Sequence, residues 1–412
     1  MLSTQTLHRF VVNLLTLAVI LIFGGNALAQ SSSRLELLWQ LAPFSRPYLT
    51  TNELPFERGM AYNPITHRVL IASWSNRVHV VNAANGSDLH ELNMTGVGGA
   101  GNGHYPILLI KAADDGAIYA GNLNTSTANP KFRLYRWAND NPDTIPTLAF
   151  SGDPSPGSNK RWGDSLTLRG AGTNTQVLLT PRDGSLAALL TTADGLNFTS
   201  STINLTDTPS GYCALGLAFG PGNTFYGTTH TNPLREITFD IGAGTGITSR
   251  LYNNAEIPTA ISPIGINPGL KLLAGIHVFS PNHLRVYDLS PTNGVPVLIG
   301  STSFPSDNPN THTAGGSVEF GTNTVYALDA NNGLMAVRIV PPPLTFESIS
   351  VQTGGQILLE GRGWPGNYLL EISSSLNDWS ALENTAIGTN GIFEYLHTPT
   401  NSLRSFYRVK SL

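Results

Sequence analysis

The amino-acid sequence predicts an all-β protein, and three observations support this prediction. A unit of about 50 residues recurs six times, and each copy places a turn rich in Gly, Asn or Pro between two short apolar segments. The 412 residues include 42 Gly and 27 Pro, but only 12% are charged, whereas long exposed helices need charged faces. Apolar residues make up 41% of the chain, which is too many for a disordered polypeptide.

The chain begins with a segment typical of a secretory signal peptide. Arg9 precedes an apolar run over residues 10–23, and Ala27 and Ala29 provide a small-x-small cleavage pattern. The run is shorter than the roughly 20 residues that a membrane-spanning helix needs. We therefore expect a signal peptide over residues 1–29, no transmembrane segment after its cleavage, and a secreted, periplasmic or cell-surface protein.

The recurring turns predict β-hairpins at regular spacing. Their residue types supply the positive or fixed φ angles that tight hairpins require. The six turns lie at residues 63–64, 114–116, 172–174, 220–223, 267–269 and 321–323.

A short apolar strand follows each turn, and in several copies a third strand alternates polar and apolar residues. The second strands are predicted at residues 69–72, 117–120, 177–179, 225–226, 272–274 and 325–327, and third strands at 77–81, 132–137 and 284–287. Four short strands per unit of this length are typical of a β-propeller blade. The sequence therefore predicts a six-bladed β-propeller over residues 34–340, with a seven-bladed ring or a two-sheet solenoid as alternatives.

The two ends of the repeat region predict how the ring closes. The sixth copy, residues 317–340, contains only three strands, and the segment 36–41 precedes the first turn without a hairpin partner. We predict that this segment is the outer strand of the sixth blade, because that pairing removes an open sheet edge.

The remaining residues predict a linker and a second domain. Three consecutive prolines, residues 341–343, form a stiff connection. Residues 344–412 are long enough for a small Ig- or fibronectin-like β-sandwich. Its strands are predicted at residues 357–360, 368–372, 391–395 and 405–409.

These segments carry a resemblance to known families. Residues 58–64, 69–73 and 78–82 resemble blades of NHL- and YVTN-type propellers. Region 34–340 as a whole is more similar to an uncharacterised family of secreted bacterial propellers, a domain of unknown function. The residues that carry this second resemblance are 92–97, 113–123 and 163–166. That family implies the fold and export but no catalytic residues. Residues 368–379 and 406–409 resemble a β-sandwich module common at the C-terminus of secreted bacterial proteins.

Composition excludes several classes of function. Lys+Arg number 23 against 27 Asp+Glu, and without a cationic excess we expect no nucleic-acid partner. The single cysteine, Cys213, excludes an intrachain disulfide and a Cys-rich zinc site. We predict that Cys213 is a buried, small apolar residue on an inner strand, and we expect no cofactor and no metal.

Two local motifs have structural explanations. Residues 163–166 (Gly-Asp-Ser-Leu) match the nucleophile block of a lipase and esterase family, but the block lies in mid-chain and no Asp-x-x-His motif accompanies it. We therefore predict that Gly163 and Asp164 shape the start of a blade. Residues 114–116 (Asp-Asp-Gly) lack the alternating acidic pattern of a calcium loop, which favours a plain hairpin turn.

A propeller places its candidate ligand site at the mouth of the central channel. There the loops between strands two and three share a face with the connections between blades. The residues predicted on this face are Arg58, Trp74, His104, Asn122, Arg161, Asp164, Arg182, Cys213, His230, His277, His312 and Asp329. The four histidines come from different blades, and their convergence would create a metal or an acid–base centre. No spacing in the sequence fixes the distances between them, so a polar, solvated mouth is the favoured interpretation.

The leading hypothesis is a monomeric binding or scaffold protein that presents a ligand site at the channel mouth. Its partner would be a carbohydrate, a peptide or a cell-surface component. One alternative is an extracellular hydrolase, lactonase-like or polysaccharide-degrading, that uses the His, Asp and Arg residues of the mouth. Another is a cell-surface adhesin, in which the C-terminal domain carries the attachment.

Overall fold

The computed structural model describes two compact units, of which the first comprises residues 34–340 and the second the residues from Pro341 onward. The described residues are 34–51, 57–73, 75–98, 105–129, 131–229, 232–291, 293–309, 315–341, 345–364, 366–387, 392–399 and 405–411. In these ranges every regular element is a strand, apart from one 3-10 turn at Gly172–Asn174. The predicted all-β class is confirmed. None of the described elements is a helix of the length and apolarity needed to cross a membrane.

The described residues of the first unit form 24 strands. Strands β1 to β12 are Leu35–Leu41, Glu57–Asn63, Arg68–Ser73, Arg77–Asn82, Asp88–Glu91, Tyr105–Ala112, Ile118–Leu123, Phe132–Trp137, Thr147–Gly152, Ser165–Arg169, Gln176–Thr180 and Leu186–Thr192. Strands β13 to β24 are Phe198–Leu205, Gly216–Phe219, Thr224–Thr228, Arg235–Asp240, Thr245–Leu251, Ile261–Asn267, Leu272–His277, His283–Asp288, Val297–Ser303, Gly316–Phe320, Thr324–Asp329 and Gly333–Ile339.

These strands form six groups of four, and within each group neighbouring strands are antiparallel. Strands β2–β5, β6–β9 and β18–β21 are separate sheets in chain order, and β22–β24 form a fourth sheet with β1. The other eight strands form one sheet, in which β10–β13 and β14–β17 are the two halves. A short parallel pairing of β13 with β17, at Asn204↔Thr245 and Leu205↔Gly246, joins these halves.

The two ends of the first unit share one sheet. Strand β1 pairs antiparallel with β24, from Leu35↔Ile339 to Leu41↔Leu334. Beyond the last strand, the backbone N–H of Val340 donates to the Arg34 carbonyl at 2.7 Å. The predicted pairing of segment 36–41 with the last repeat is therefore present.

The first strands of the six groups contact one another in a closed cycle. Strands β2, β6, β10, β14, β18 and β22 each contact the next, and β22 contacts β2. Glycines permit this approach: a Cβ atom on Gly59 would lie 2.6 Å from the Leu108 carbonyl oxygen, and one on Gly265 would lie 2.8 Å from that of Val318. Each first strand is also the terminal strand of its group, so its outer edge faces the centre of the cycle.

Apolar side chains between neighbouring groups form the cores. One cluster combines Leu70 and Val80 of the first group with Ile107 and Ile118 of the second. It also contains Trp137, which is fully buried and donates its indole N–H to a backbone carbonyl at 2.7 Å. Because each core lies between two groups, no group buries its apolar face alone.

The second unit contains two three-stranded sheets that share a core. Its strands β25 to β30 are Thr345–Val351, Ile357–Arg362, Gly366–Ser373, Ser380–Ile387, Ile392–His397 and Phe406–Ser411. The sheet orders are β25-β26-β29 and β28-β27-β30, and Leu359 and Phe393 of the first pack with Leu370 of the second. Strands β25 and β28 were not predicted. Strand β28 is mostly exposed and polar, so it lacks the apolar run on which the prediction relied.

A buried glutamate lies at the start of the first group. Glu57 is 1% exposed and accepts hydrogen bonds from the backbone N–H of Thr50 at 3.0 Å and from its hydroxyl at 3.4 Å. Burial raises the pKa of the Glu57 carboxyl to about 8, although these hydrogen bonds and the neighbouring Arg58 favour the ionised form. The Glu57 carboxyl therefore stays protonated up to about pH 8 in the folded protein, whereas in the unfolded chain it loses its proton near its ordinary pKa of 4.5.

The Glu57 proton makes stability depend on pH. Between pH 4.5 and 8 the folded state binds this proton and the unfolded state does not, so the free energy of unfolding falls as pH rises. The slope is at most about 1.4 kcal/mol per pH unit.

We expect Glu57→Gln to remove this slope and to unfold at a higher temperature than wild type at pH 8. Thermal unfolding from pH 5 to 8 tests this, with the exposed Glu36→Gln as a charge-matched control; an unchanged slope in Glu57→Gln would contradict the assignment.

Gly163 marks a close backbone approach between the second and third groups. Its φ is +105°, and a Cβ there would lie 2.0 Å from the Asn122 carbonyl oxygen. Next to it, Trp162 and Asn124 form an isolated antiparallel bridge, with N–H···O distances of 2.9 and 3.2 Å. The predicted structural role of Gly163 at the start of the third group agrees with this geometry.

We expect Gly163→Ala to destabilise the first unit more than Gly98→Ala. Both glycines have nearly the same φ, +105° and +107°, so both substitutions incur a backbone cost of about 1–2 kcal/mol. Only the alanine at 163 also clashes with backbone, since a Cβ on Gly98 would meet one atom at 4.0 Å. Chemical denaturation should show at least about 2 kcal/mol of additional loss for Gly163→Ala. An equal loss of unfolding free energy in the two variants would contradict this prediction, because it would show that the backbone near Asn122 moves away from the added Cβ without cost.

Candidate functional site

The first and second strands of each group meet at one edge, which we call the mouth edge. There the first strand begins and the second strand ends, as the pairs Glu57↔Ser73 and Ser165↔Thr180 show. The predicted site residues that the structure describes lie at this edge. Their common location follows from antiparallel pairing, because the end of each second strand lies beside the start of the first strand.

A cavity of about 70 Å³ lies inside the cycle of first strands. All six first strands contribute residues to its wall, and Arg58 of β2 lines it at the mouth edge. Arg161, Asp164 and Arg182 line the same cavity. The structure therefore brings four of the predicted site residues together.

Three separate elements deliver the three guanidinium groups. Arg58 is the second residue of β2, Arg161 lies four residues before β10, and Arg182 lies two residues after β11. The backbone N–H of Arg182 donates to the Arg161 carbonyl at 3.2 Å, which holds these two segments side by side. The cluster is thus fixed by backbone contacts rather than by flexible side chains alone.

Asp164 is the carboxylate of this cluster. The Arg161 guanidinium donates to both of its oxygens, with Nε–Oδ2 at 2.7 Å and Nη2–Oδ1 at 2.6 Å. The Asp164 side chain is 5% exposed, so the pair is largely shielded from solvent on its acidic side. Bidentate pairing of this kind is strong and leaves Asp164 committed to Arg161.

Arg58 is the most buried of the three arginines, at 9% exposure. Burial lowers the pKa of its guanidinium; Tyr105 and Asp164 act in the opposite direction, and Arg161 and Arg182 lower it further by like-charge repulsion. Within the described residues, neither Arg58 nor Arg182 has a hydrogen-bonding or ion-pairing partner for its guanidinium group. Two buried or half-buried positive charges therefore face the cavity.

An ion pair crosses the cycle away from the mouth edge. Lys111 of β6 pairs with Glu319 of β22, although β2 lies between these two strands in the cycle. The ammonium group of Lys111 also lies 3.5 Å from the hydroxyl of Ser317, which donates to the Met60 carbonyl at 3.1 Å. Burial raises the pKa of Glu319, and Lys111 counteracts that shift. Lys111 also lines the cavity, so this neutral pair lies at its far end.

Lys111 and Glu319 were not among the predicted site residues. A signal was present, since Lys111 is the only charged residue in the eight-residue apolar strand β6. A lysine in such a strand needs a buried partner. The identity of that partner depends on how the second and sixth groups approach each other across the cycle, which no local pattern reveals.

Asn122 and Asp329, which were also predicted in the site, lie at the mouth edge but outside the described cavity lining. Asn122 is buried, and its amide oxygen accepts the backbone N–H of Arg133 at 2.8 Å, which fastens the β7–β8 hairpin. Asp329 is 2% exposed and accepts the backbone N–H of Asn331 at 3.3 Å. Both side chains stabilise local turns.

His277 pairs with another histidine of its own group. Its ring stacks on His283 with centroids 5.6 Å apart, and its Nδ1 lies 3.0 Å from the Phe279 carbonyl oxygen. Burial lowers the pKa of His277, and the nearby Arg285 lowers it further. The other candidates, Trp74, His104, His230 and His312, lie outside the described residues, so the convergence of four histidines stays a prediction. Among the described residues, no group of three or more His, Cys, Asp or Glu is arranged to hold a metal ion.

Ser165 and Cys213 have structural roles. The Ser165 hydroxyl is buried and donates to the Thr180 carbonyl at 3.0 Å across the β10–β11 pair. Cys213 is buried as predicted, but it lies in a turn three residues before β14 rather than on a strand. Burial raises the pKa of its thiol to about 12, which makes it a poor nucleophile.

A larger groove of about 540 Å³ lies on the first group, along β4 and β5. Its charged side chains are paired with neighbours. Arg77 contacts Glu91 at 2.6 Å, and Asp88 accepts the Tyr48 hydroxyl at 2.5 Å. The central cavity differs from this groove because its arginines are only partly neutralised.

Comparison with known proteins finds no matching family model and no matching curated protein. Among solved structures, the chain is similar to a DUF4623 family protein from Bacteroides eggerthii, with a TM-score of 0.53 and 12% identity over 69% of this chain and 70% of that one. It is also similar to the PQQ-bound aldose sugar dehydrogenase of Streptomyces coelicolor, with a TM-score of 0.44 and 14% identity over 75% of this chain and 98% of that one. The first similarity shows a shared β-rich fold.

Proposed function

We propose that residues 34–340 form a six-bladed β-propeller that binds a small anion at its mouth edge. Two features support the propeller: the four-strand group occurs six times, and the first strands contact one another in a closed cycle. A seven-bladed ring would need another group, for which the described part of this unit contains no strands. The sequence resemblance to propellers of unknown function favours the same architecture.

The observation that carries anion binding is the imbalance of charge at the cavity. Three guanidinium groups line it at the mouth edge, and Asp164 is the carboxylate among the described lining residues. Since Asp164 neutralises one arginine and Glu319 neutralises Lys111, two positive charges remain. The whole chain has a formal net charge of −4, so this positive region runs against the overall charge.

Arginine is suited to this role. Its planar fork donates two parallel hydrogen bonds to a carboxylate or phosphate and stays charged when partly buried. Burial of an unpaired guanidinium is costly, and a bound anion repays that cost with charge-assisted hydrogen bonds. The site is therefore preorganised for an anionic ligand or for the anionic group of a larger one.

The surrounding protein fits a binding function outside the cytoplasm. We propose that the signal-like segment 1–29 directs export and that residues 344–412, with their two small sheets and one core, form a β-sandwich that spaces or attaches the propeller. The hydrolase and adhesin alternatives stay predictions, since no described arrangement of side chains favours either one.

Substitution of the arginines tests the proposal. We expect calorimetry to detect binding of sulfate or malonate but not of neutral glucose. Arg58→Gln and Arg182→Gln should each weaken anion binding at least about tenfold, because a hydrogen bond to a charged group contributes about 1.5–3 kcal/mol. Arg77→Gln is the matched control: it removes the same charge from an exposed arginine that is 59% accessible on β4.

Folding of the variants is checked by thermal unfolding before binding is measured. Anion binding that is the same in wild type, Arg58→Gln and Arg182→Gln would contradict the proposed site. An equal loss of anion affinity in Arg77→Gln would also contradict it, because the affinity would then depend only on the net charge of the protein.

A further inference from the structure

We infer that the cavity selects a doubly charged tetrahedral group, of the phosphate-monoester class, over singly charged anions. This inference rests on the proposed anion site and specifies its ligand. Three observations support it: the number of unneutralised charges, the directions from which the arginines arrive, and the size of the cavity.

The charge count favours a dianion. Asp164 neutralises Arg161, which leaves the guanidinium groups of Arg58 and Arg182 without an anionic partner among the described residues. A monoanion neutralises only one of these two guanidinium groups and leaves the other without an anionic partner. A dianion neutralises both, and it also relieves the repulsion that acts on Arg58.

The directions of approach favour a tetrahedral group. Arg58, Arg161 and Arg182 reach the cavity from three different elements, namely β2, the segment before β10 and the turn after β11. A planar carboxylate has two oxygens, and Asp164 uses both of its oxygens on Arg161 alone. A phosphate group has three terminal acceptor oxygens that point in different directions. It can therefore accept hydrogen bonds from arginines that belong to three different elements.

The size of the cavity favours a single small group. Its volume is about 70 Å³, and the Lys111–Glu319 pair lies at its far end. One water molecule needs roughly 10–15 Å³ of such space, so the cavity has room for several waters or for one group of the size of a phosphate. The rest of a phosphate monoester would lie outside, at the mouth edge.

The pH dependence of binding tests the charge state directly. The second pKa of a phosphate monoester is about 6. Calorimetric titration with methyl phosphate should therefore give an affinity that rises about tenfold from pH 5 to pH 7. Methyl sulfate, a monoanion at every pH in this range, should bind at least about tenfold more weakly than methyl phosphate at pH 7 and without pH dependence.

Inorganic sulfate controls for titration of the protein. Sulfate is a dianion from pH 5 to 7, and Glu57, next to Arg58, stays protonated below its pKa of about 8. The affinity for sulfate should therefore stay constant over this range. Arg182→Gln should reduce the preference for methyl phosphate over methyl sulfate to within about threefold. Arg77→Gln should retain the full preference.

The outcomes separate this inference from the proposed function. Equal binding of methyl phosphate and methyl sulfate at pH 7 would overturn the preference for a dianion and leave the anion site standing. Tighter binding of malonate than of methyl phosphate would overturn the preference for a tetrahedral group. Absence of binding by every anion would overturn the anion site itself.

Discussion

The close approach of six strands around one centre is the constraint on which the first unit depends. Each of these strands is the first of its group, and each contacts the first strand of the next. At Gly59 and Gly265 any side chain would collide with the neighbouring backbone. The approach therefore requires glycine at particular positions, and it leaves between the strands a cavity of about 70 Å³.

This geometry also decides which polar residues face the cavity. Antiparallel pairing places the start of each first strand beside the end of the second, so residues far apart in sequence reach one edge. Arg58 and Arg182 are 124 positions apart, yet they act on the same charged cluster. In a chain with 12% charged residues, a concentration of three arginines in one cavity is a local exception to the general composition.

Paired and unpaired charges have different roles inside the cycle. The Lys111–Glu319 pair connects β6 to β22, and removal of either partner would leave a half-buried charge uncompensated. The Arg161–Asp164 pair fixes the loop before β10 in the same way. Arg58 and Arg182 lack such partners among the described residues, and for that reason they are the groups to which an external anion can bind.

Much of this architecture could be predicted from the sequence, because it depends on local patterns. Turn residues and apolar periodicity located the second strand of every group and the third strand of three groups, and the unpaired segment 36–41 indicated its pairing with the last group. Strand β28 and the turn position of Cys213 were missed, since polar strands and buried turns have no distinct local signal. The candidate site was predicted as a broad set at one edge. Only the tertiary structure separated Arg58, Arg161, Asp164 and Arg182 from Asn122, His277 and Asp329, because distances between side chains on different groups depend on how the groups pack.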